Sequence, residues 1–338
     1  MDEIKQYLQS ELSQISSYFK QRIFDGLKKK HKLKEDEEID AFLYRVLDKN
    51  YDDYVKTYNA IELTKSYKYC ALFELEDEAG LDDIVTKIKS CSESHAYPFN
   101  TPSADLLPTK TENVFKFTFL LQGVKNEGID FKVYKSTYSA IVAFKEVKGV
   151  KFIEISADNV KPFLRQGDDK FFITIINKIE DWLTQVCKLT LNPLDFSNYA
   201  DDFKSAKKTA QKMMLSSGSQ AVLDSASSEQ IILPILGEIK QLMQENSEIF
   251  NKSREAKELI ENFLNQTEQE AHLPWITFLW DNEVKRKRIS VKLMFSEASY
   301  TLLNFYSHYR GREGMDHAIN DLLENYSKNR VSQQQSTD

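Results

Sequence analysis

The chain has 338 residues, of which 41% are hydrophobic and 29% charged, with only 10 Gly and 7 Pro. That is enough apolar material for one large or two modest packed domains, and it excludes collagen-like, low-complexity and wholly disordered classes. A net charge of −7 excludes a chain-wide basic coat for nucleic acid.

Residues 1–60 read as a helical region. Ile4, Tyr7, Leu8, Leu12, Ile15, Phe19, Ile23 and Phe24 recur at three- and four-residue steps. Lys28, Lys29, Lys30, Lys32 and Lys34 are then answered by Glu35, Asp36, Glu37, Glu38 and Asp40, which reads as a solvated connection between helices. A second helix is expected from Ile39 through Leu47.

Residues 61–196 read as a sheet domain. Strands are expected at Tyr67 to Leu75, Val114 to Leu121 and Ile129 to Val133, with a helix over Glu78 to Lys89 between them. Pro98, Pro102 and Pro108 mark a loop. Tyr138 to Ser156 carries the clearest local signal: two β-rich runs joined by Lys145 to Gly149, with the glycine where a hairpin turn wants positive φ. An amphipathic helix over residues 168–189 follows, with Asp168 or Asp169 as its cap.

Serine-rich residues 197–230 read as a linker or mobile segment. Residues 231–328 read as a C-terminal helical region with a hairpin. Its longest pattern spans 231–270, where Ile239, Leu242, Ile249, Ala256, Ile260 and Phe263 keep a four/three spacing and Asn246 and Ser253 interrupt the seam. That is the signature of a short coiled coil, and it predicts self-association or a partner helix. Trp275 to Trp280 and Ile289 to Phe295 read as strands, and Ser299 to Tyr309 and Met315 to Tyr326 as helices. Residues 329–338 read as a disordered tail. The fold class expected is α+β: N-terminal helices, a central mainly antiparallel sheet of about five strands, then a long helix, a hairpin and further helices.

The first residues lack a basic segment followed by an apolar run, and no run approaches about 18 apolar residues, so neither a secretory signal nor a membrane span is expected. Cys70, Cys91 and Cys187 are odd in number and widely spaced, which points to free thiols in a reducing cytoplasm. Lys outnumbers Arg 36 to 9, as AT-rich coding produces. Lys-heavy accessory bacterial genes, defence loci included, share that bias.

Phosphate-loop, dinucleotide, zinc-protease and hydrolase motifs are absent, so no cofactor and no metal site is expected. One enzyme-like order remains. Asp130 followed by Glu146 and Lys148 resembles the acid and E-x-K pattern of restriction-like nucleases, which implies two carboxylates holding Mg²⁺ and a lysine positioning the attacking water. The basic run Lys285, Arg286, Lys287 and Arg288, with Tyr306, Tyr309, Arg310 and Arg312 beyond it, forms a second candidate. Seven basic and three acidic residues lie between 281 and 312. Guanidinium forks suit phosphates, and tyrosine rings suit exposed bases, so DNA or RNA is the expected ligand there. The leading expectation is a non-enzymatic cytoplasmic binding protein, with the nuclease as its alternative.

Overall fold

The computed structural model describes the chain except for Met1, Glu78, residues 95–103, 108–112, Ile129, 198–224, 227–238, 240–241, 271–274, 283–286, Ser296, 307–310 and 336–338. It divides into two compact units. The first comprises residues 1–192 and 307–338, and the second residues 193–306. The C-terminal helix thus groups with the first unit, whereas the sequence places it with residues 231–328. It also runs to Gln335, through most of the stretch expected as a tail.

The first unit opens with four helices: α1 (Asp2–Leu12), α2 (Ser17–Leu27), α3 (Ile39–Lys49) and α4 (Tyr51–Thr64). Ser16 separates the first two, its hydroxyl accepting from the Phe19 amide at 3.2 Å as an N-cap. The apolar stripes read from the sequence converge on one core built around Leu8, Leu12, Ile23, Leu27, Phe42 and Leu47. The opposed charge runs fall in the connection between α2 and α3, except Asp40, which lies in the first turn of α3.

The sheet of this unit contains β1 (Tyr69–Leu75), β2 (Ala104–Leu107), β3 (Asn113–Glu127), β4 (Asp130–Val147) and β5 (Val150–Ala157). Their order is β2-β3-β4-β5-β1, antiparallel at every step, and a short β6 (Leu191–Pro193) pairs β1. The expected turn is present: Lys148 and Gly149 hold φ of 51° and 78°, the two positive values of a type I′ hairpin. β4 is 18 residues long and fuses two runs that the sequence separates. Between β1 and β2 lies α5 (Leu81–Ser94), and after β5 come a 3₁₀ turn (Pro162–Leu164) and α6 (Phe171–Gln185). Asp168 does not occupy the cap position itself. It accepts from the Lys170 amide at 2.9 Å and from the Thr174 hydroxyl at 2.6 Å, and so tethers the first turn.

The strand register sorts the sheet into two unlike faces. Phe117, Tyr69 and Tyr138 lie on one face and pack against Trp182, Phe172 and Phe171 of α6. Glu74, Lys116, Thr137, Ser139, Lys145, Glu154 and Ser156 lie on the other face, and all are buried. The N-terminal helices and the final helix cover that polar face. Lys116 donates to Asn59 of α4 at 2.6 Å, and Lys145 to Asp316 of the final helix at 2.8 Å. Buried charge requires such partners, so the covering helices are specified by ion pairs as well as by apolar area.

In the second unit β7 (Ser225–Ala226), β8 (Trp275–Asn282), β9 (Lys287–Met294) and β10 (Leu302–Phe305) form an antiparallel series in the order β10-β9-β8-β7. The helix expected over 299–309 is instead this last strand. Leu302, Leu303, Asn304 and Phe305 are all buried, and pairing with β9 overrides their local helical spacing. The helical segment 242–245, α7 (Ser247–Lys252) and α8 (Arg254–Glu270) complete the unit. In the first unit, α9 (Arg312–Gln335) ends the described chain.

Candidate functional site

Residues 231–270 do not form one continuous helix. Asn246 caps the start of α7 with φ −110° and ψ 29°, and Ser253 ends it with φ −122° and ψ 77°. The two polar interruptions of the expected seam are therefore helix boundaries, because Asn and Ser bond their own backbone more readily than they extend a helix. Asn246 does so through its side-chain amide, which donates to the Leu242 carbonyl at 2.9 Å.

The break divides the seam residues between two roles. Ile239 and Ile260 turn inward and pack with Phe250 around Met243 and Leu264. Leu242, Ile249 and Phe263 turn outward and are 53%, 65% and 64% exposed, and Leu259 beside them is 74% exposed. Ala256 is exposed as well. Each segment thus carries two apolar stripes one residue apart, and the inner stripe closes the small local core. Leu259 and Phe263 stand on successive turns of α8, whereas Leu242 and Ile249 lie on separate segments either side of the Asn246 break.

A second exposed apolar surface lies on the end of the β3–β4 ribbon. Val124 and Val133 are paired in register, and they and Phe131 occupy one face at 53%, 52% and 74% exposure.

Of the basic candidate, Lys287, Arg288, Tyr306 and Arg312 are described. Lys285, Arg286, Tyr309 and Arg310 lie outside the described residues. Lys287 and Arg288 begin β9 opposite Asn282 and Asp281, and Tyr306 is exposed with its amide donating to the Ser290 carbonyl at 3.1 Å. Arg312 is engaged in the interior of the first unit. Its guanidinium lies 2.7 Å from the Glu154 carboxylate and 3.2 Å from Asp316, and its side chain is 11% exposed. Lys145 joins them at 3.2 Å from Glu154. Burial alone pushes the Glu154 carboxyl up, but the charges of Arg312 and Lys145 overcome that and hold it below the usual carboxylate range. Arg312 is therefore a tie between α9 and the sheet.

The nuclease triad is dispersed. Asp130 and Glu146 stand at opposite ends of β4, both exposed, sixteen positions apart along a continuous strand. At about 3.3 Å per residue that is on the order of 50 Å, far beyond the span of one metal ion. Lys148 sits in the hairpin turn with its backbone in the left-handed region.

A third feature went unread in the sequence. A cavity of about 320 Å³ lies beneath α1, lined among others by Glu11, Gln14, Phe19, Tyr58, Glu62, Lys65, Thr137, Ser139, Asp158 and Lys161. Glu11 is 6% exposed. Its carboxylate accepts from the Tyr58 hydroxyl at 3.0 Å, from the Thr137 amide at 3.1 Å and from the Thr137 hydroxyl. Burial pushes its carboxyl up to about 7, assisted by the charge of Glu62 and opposed by the Thr137 and Tyr58 bonds. Lys65 ties Glu62 at 2.8 Å to Asp158 at 3.0 Å. The sequence signal was present: Glu11 stands on the stripe of Leu8, Leu12 and Ile15, where a helix normally carries apolar side chains.

The cysteines are free, but two of them meet. Burial and the adjoining Cys91 thiol push the Cys187 thiol up. Among the described residues no helix is long and apolar enough to cross a membrane, and no group of three or more His, Cys, Asp or Glu is placed to hold a metal ion. No protein-family model matches the chain, and no curated protein matches it.

Proposed function

We propose that this is a non-enzymatic binding protein that associates through the helical segment 239–270, with a second copy of the chain as its partner. The observation that carries this reading is the outward stripe of Leu242, Ile249, Leu259 and Phe263, each more than half exposed. A monomer gains nothing from exposing four large apolar side chains within one helical region, whereas burying them in an interface is favourable at roughly 25 cal/mol per Å². The exposed face of the β3–β4 ribbon offers a second apolar surface on the other unit. Charge substitution tests the reading: Ile249→Glu with Leu259→Glu abolishes association seen by light scattering and leaves the circular dichroism spectrum unchanged. Association that survives both substitutions refutes it.

The run from Lys285 to Arg288 supports a further polyanion contact, now without Arg312, whose charge is matched inside the fold. Retention of the protein on DNA or RNA that falls steeply with salt and is lost on reversing Arg286 and Arg288 supports that contact, and salt-insensitive or absent retention removes it. The dispersal of Asp130 and Glu146 gives the nuclease reading no support.

A further inference from the structure

We propose that the cavity beneath α1 binds a small organic cation, a primary amine carried on an apolar body. Its volume of about 320 Å³ lies within the ~300–1,000 Å³ typical of small-molecule sites. The first support is a charge imbalance. The two lysines on its wall are committed: Lys65 to Glu62 and Asp158, and Lys161 to the Gln14 carbonyl at 2.7 Å. Glu11 has neutral donors only, from Tyr58 and Thr137, and no ion-pair partner among the described residues. A buried carboxylate without a counter-charge is costly, and an ammonium supplies the missing charge.

The second support is unmet hydrogen-bonding capacity on the same wall. The Oγ of Ser139, a residue 5% exposed, and the Oε1 of Gln14 have no hydrogen-bond partner among the described residues. Buried polar groups are paired in nearly all folded proteins, and both of these belong to residues that line the cavity, so an occupant is the partner assigned to them here. Both can accept from an ammonium. Ile15, Val160 and Leu164 give the apolar part of the wall, and the aromatic residues Phe19 and Tyr58 line it as well, a side-chain type that attracts cations. A carboxylate or phosphate ligand would instead meet Glu11.

Titration calorimetry of the full chain at pH 8 tests this with tyramine and cadaverine as probes. The expected result is saturable one-to-one binding of at least one amine, with 4-ethylphenol, the uncharged analogue of tyramine, at least tenfold weaker. Glu11→Gln weakens the amine at least tenfold, and Ser139→Val, which keeps a strand-favouring side chain on β4, weakens it several-fold. Affinity falls as pH drops below 7 and Glu11 takes up a proton. Three results overturn the proposal: neither amine binds, so that the cavity holds water alone; tyramine and 4-ethylphenol bind alike; or a folded Glu11→Gln protein binds the amine as wild type does.

Discussion

Replacing Glu11 by glutamine should make the protein more stable at pH 8 and change it little at pH 5. The carboxyl is 6% exposed and sits at about 7 in the folded chain against 4.5 when unfolded. Between those values the folded state holds a proton that the unfolded state has released, so stability falls as pH rises. Below 4.5 both states are protonated and no penalty exists. Above 7 the penalty is complete, at about 1.4 kcal/mol per pH unit over the interval, or about 3 kcal/mol. At pH 5 the same linkage gives under ~1 kcal/mol. Glutamine is isosteric, can still accept from Thr137, and carries no charge. Urea unfolding of wild type and Glu11→Gln, followed at both pH values, reads the difference directly through the midpoints. The advantage of the variant should grow by about 2.5 kcal/mol from pH 5 to pH 8. A constant advantage, or a variant less stable at pH 8 than at pH 5 relative to wild type, would refute the assignment of Glu11 as a buried, unpaired acid.

Two other perturbations follow. Glu154→Gln leaves Arg312 and Lys145 short of their shared partner in a site where Glu154 is 1% exposed, and should cost about 3 kcal/mol in denaturant unfolding. Because the Glu154 carboxyl is held low, its contribution is present above the unfolded value and disappears as pH falls through the folded one, so the wild type, not the variant, should lose stability in acid. Gly123→Ala would place a methyl group on the Phe163 carbonyl oxygen, a backbone atom that cannot swing aside, and should lower stability by about 2 kcal/mol with the thermal midpoint as the readout.

The sheet was legible where local chemistry and tertiary packing agree. Gly149 marked its turn because only a residue tolerant of positive φ suits that position, and Phe115, Phe117 and Phe119 marked the face that packs on α6. The other face was illegible because its alternate positions carry Lys116, Lys145 and Glu154, which read as solvent-facing until the partners Asn59, Arg312 and Asp316 cover them. Those partners lie up to 171 residues away in sequence. The helical hairpin shows the converse limit. Apolar spacing through 239–263 located the helices, but it could not show that Asn246 and Ser253 are ends rather than seam positions, because a four/three rhythm survives a break. Arg312 looked like part of a basic patch because one of its counter-charges, Glu154, comes from another part of the chain, although Asp316 stands only one helical turn away. Glu11 had a local signature, a carboxylate on an apolar stripe, and only the cavity beside it turns that signature into chemistry.

Sedimentation velocity of the full chain over a hundredfold range of concentration tests the central claim most directly. The exposed stripes on the segment 239–270 predict a mass that rises above that of one chain with concentration, and a return to the single-chain mass when Ile249 and Leu259 are both replaced by glutamate. A single-chain mass at every concentration, the same for wild type and variant, would contradict it.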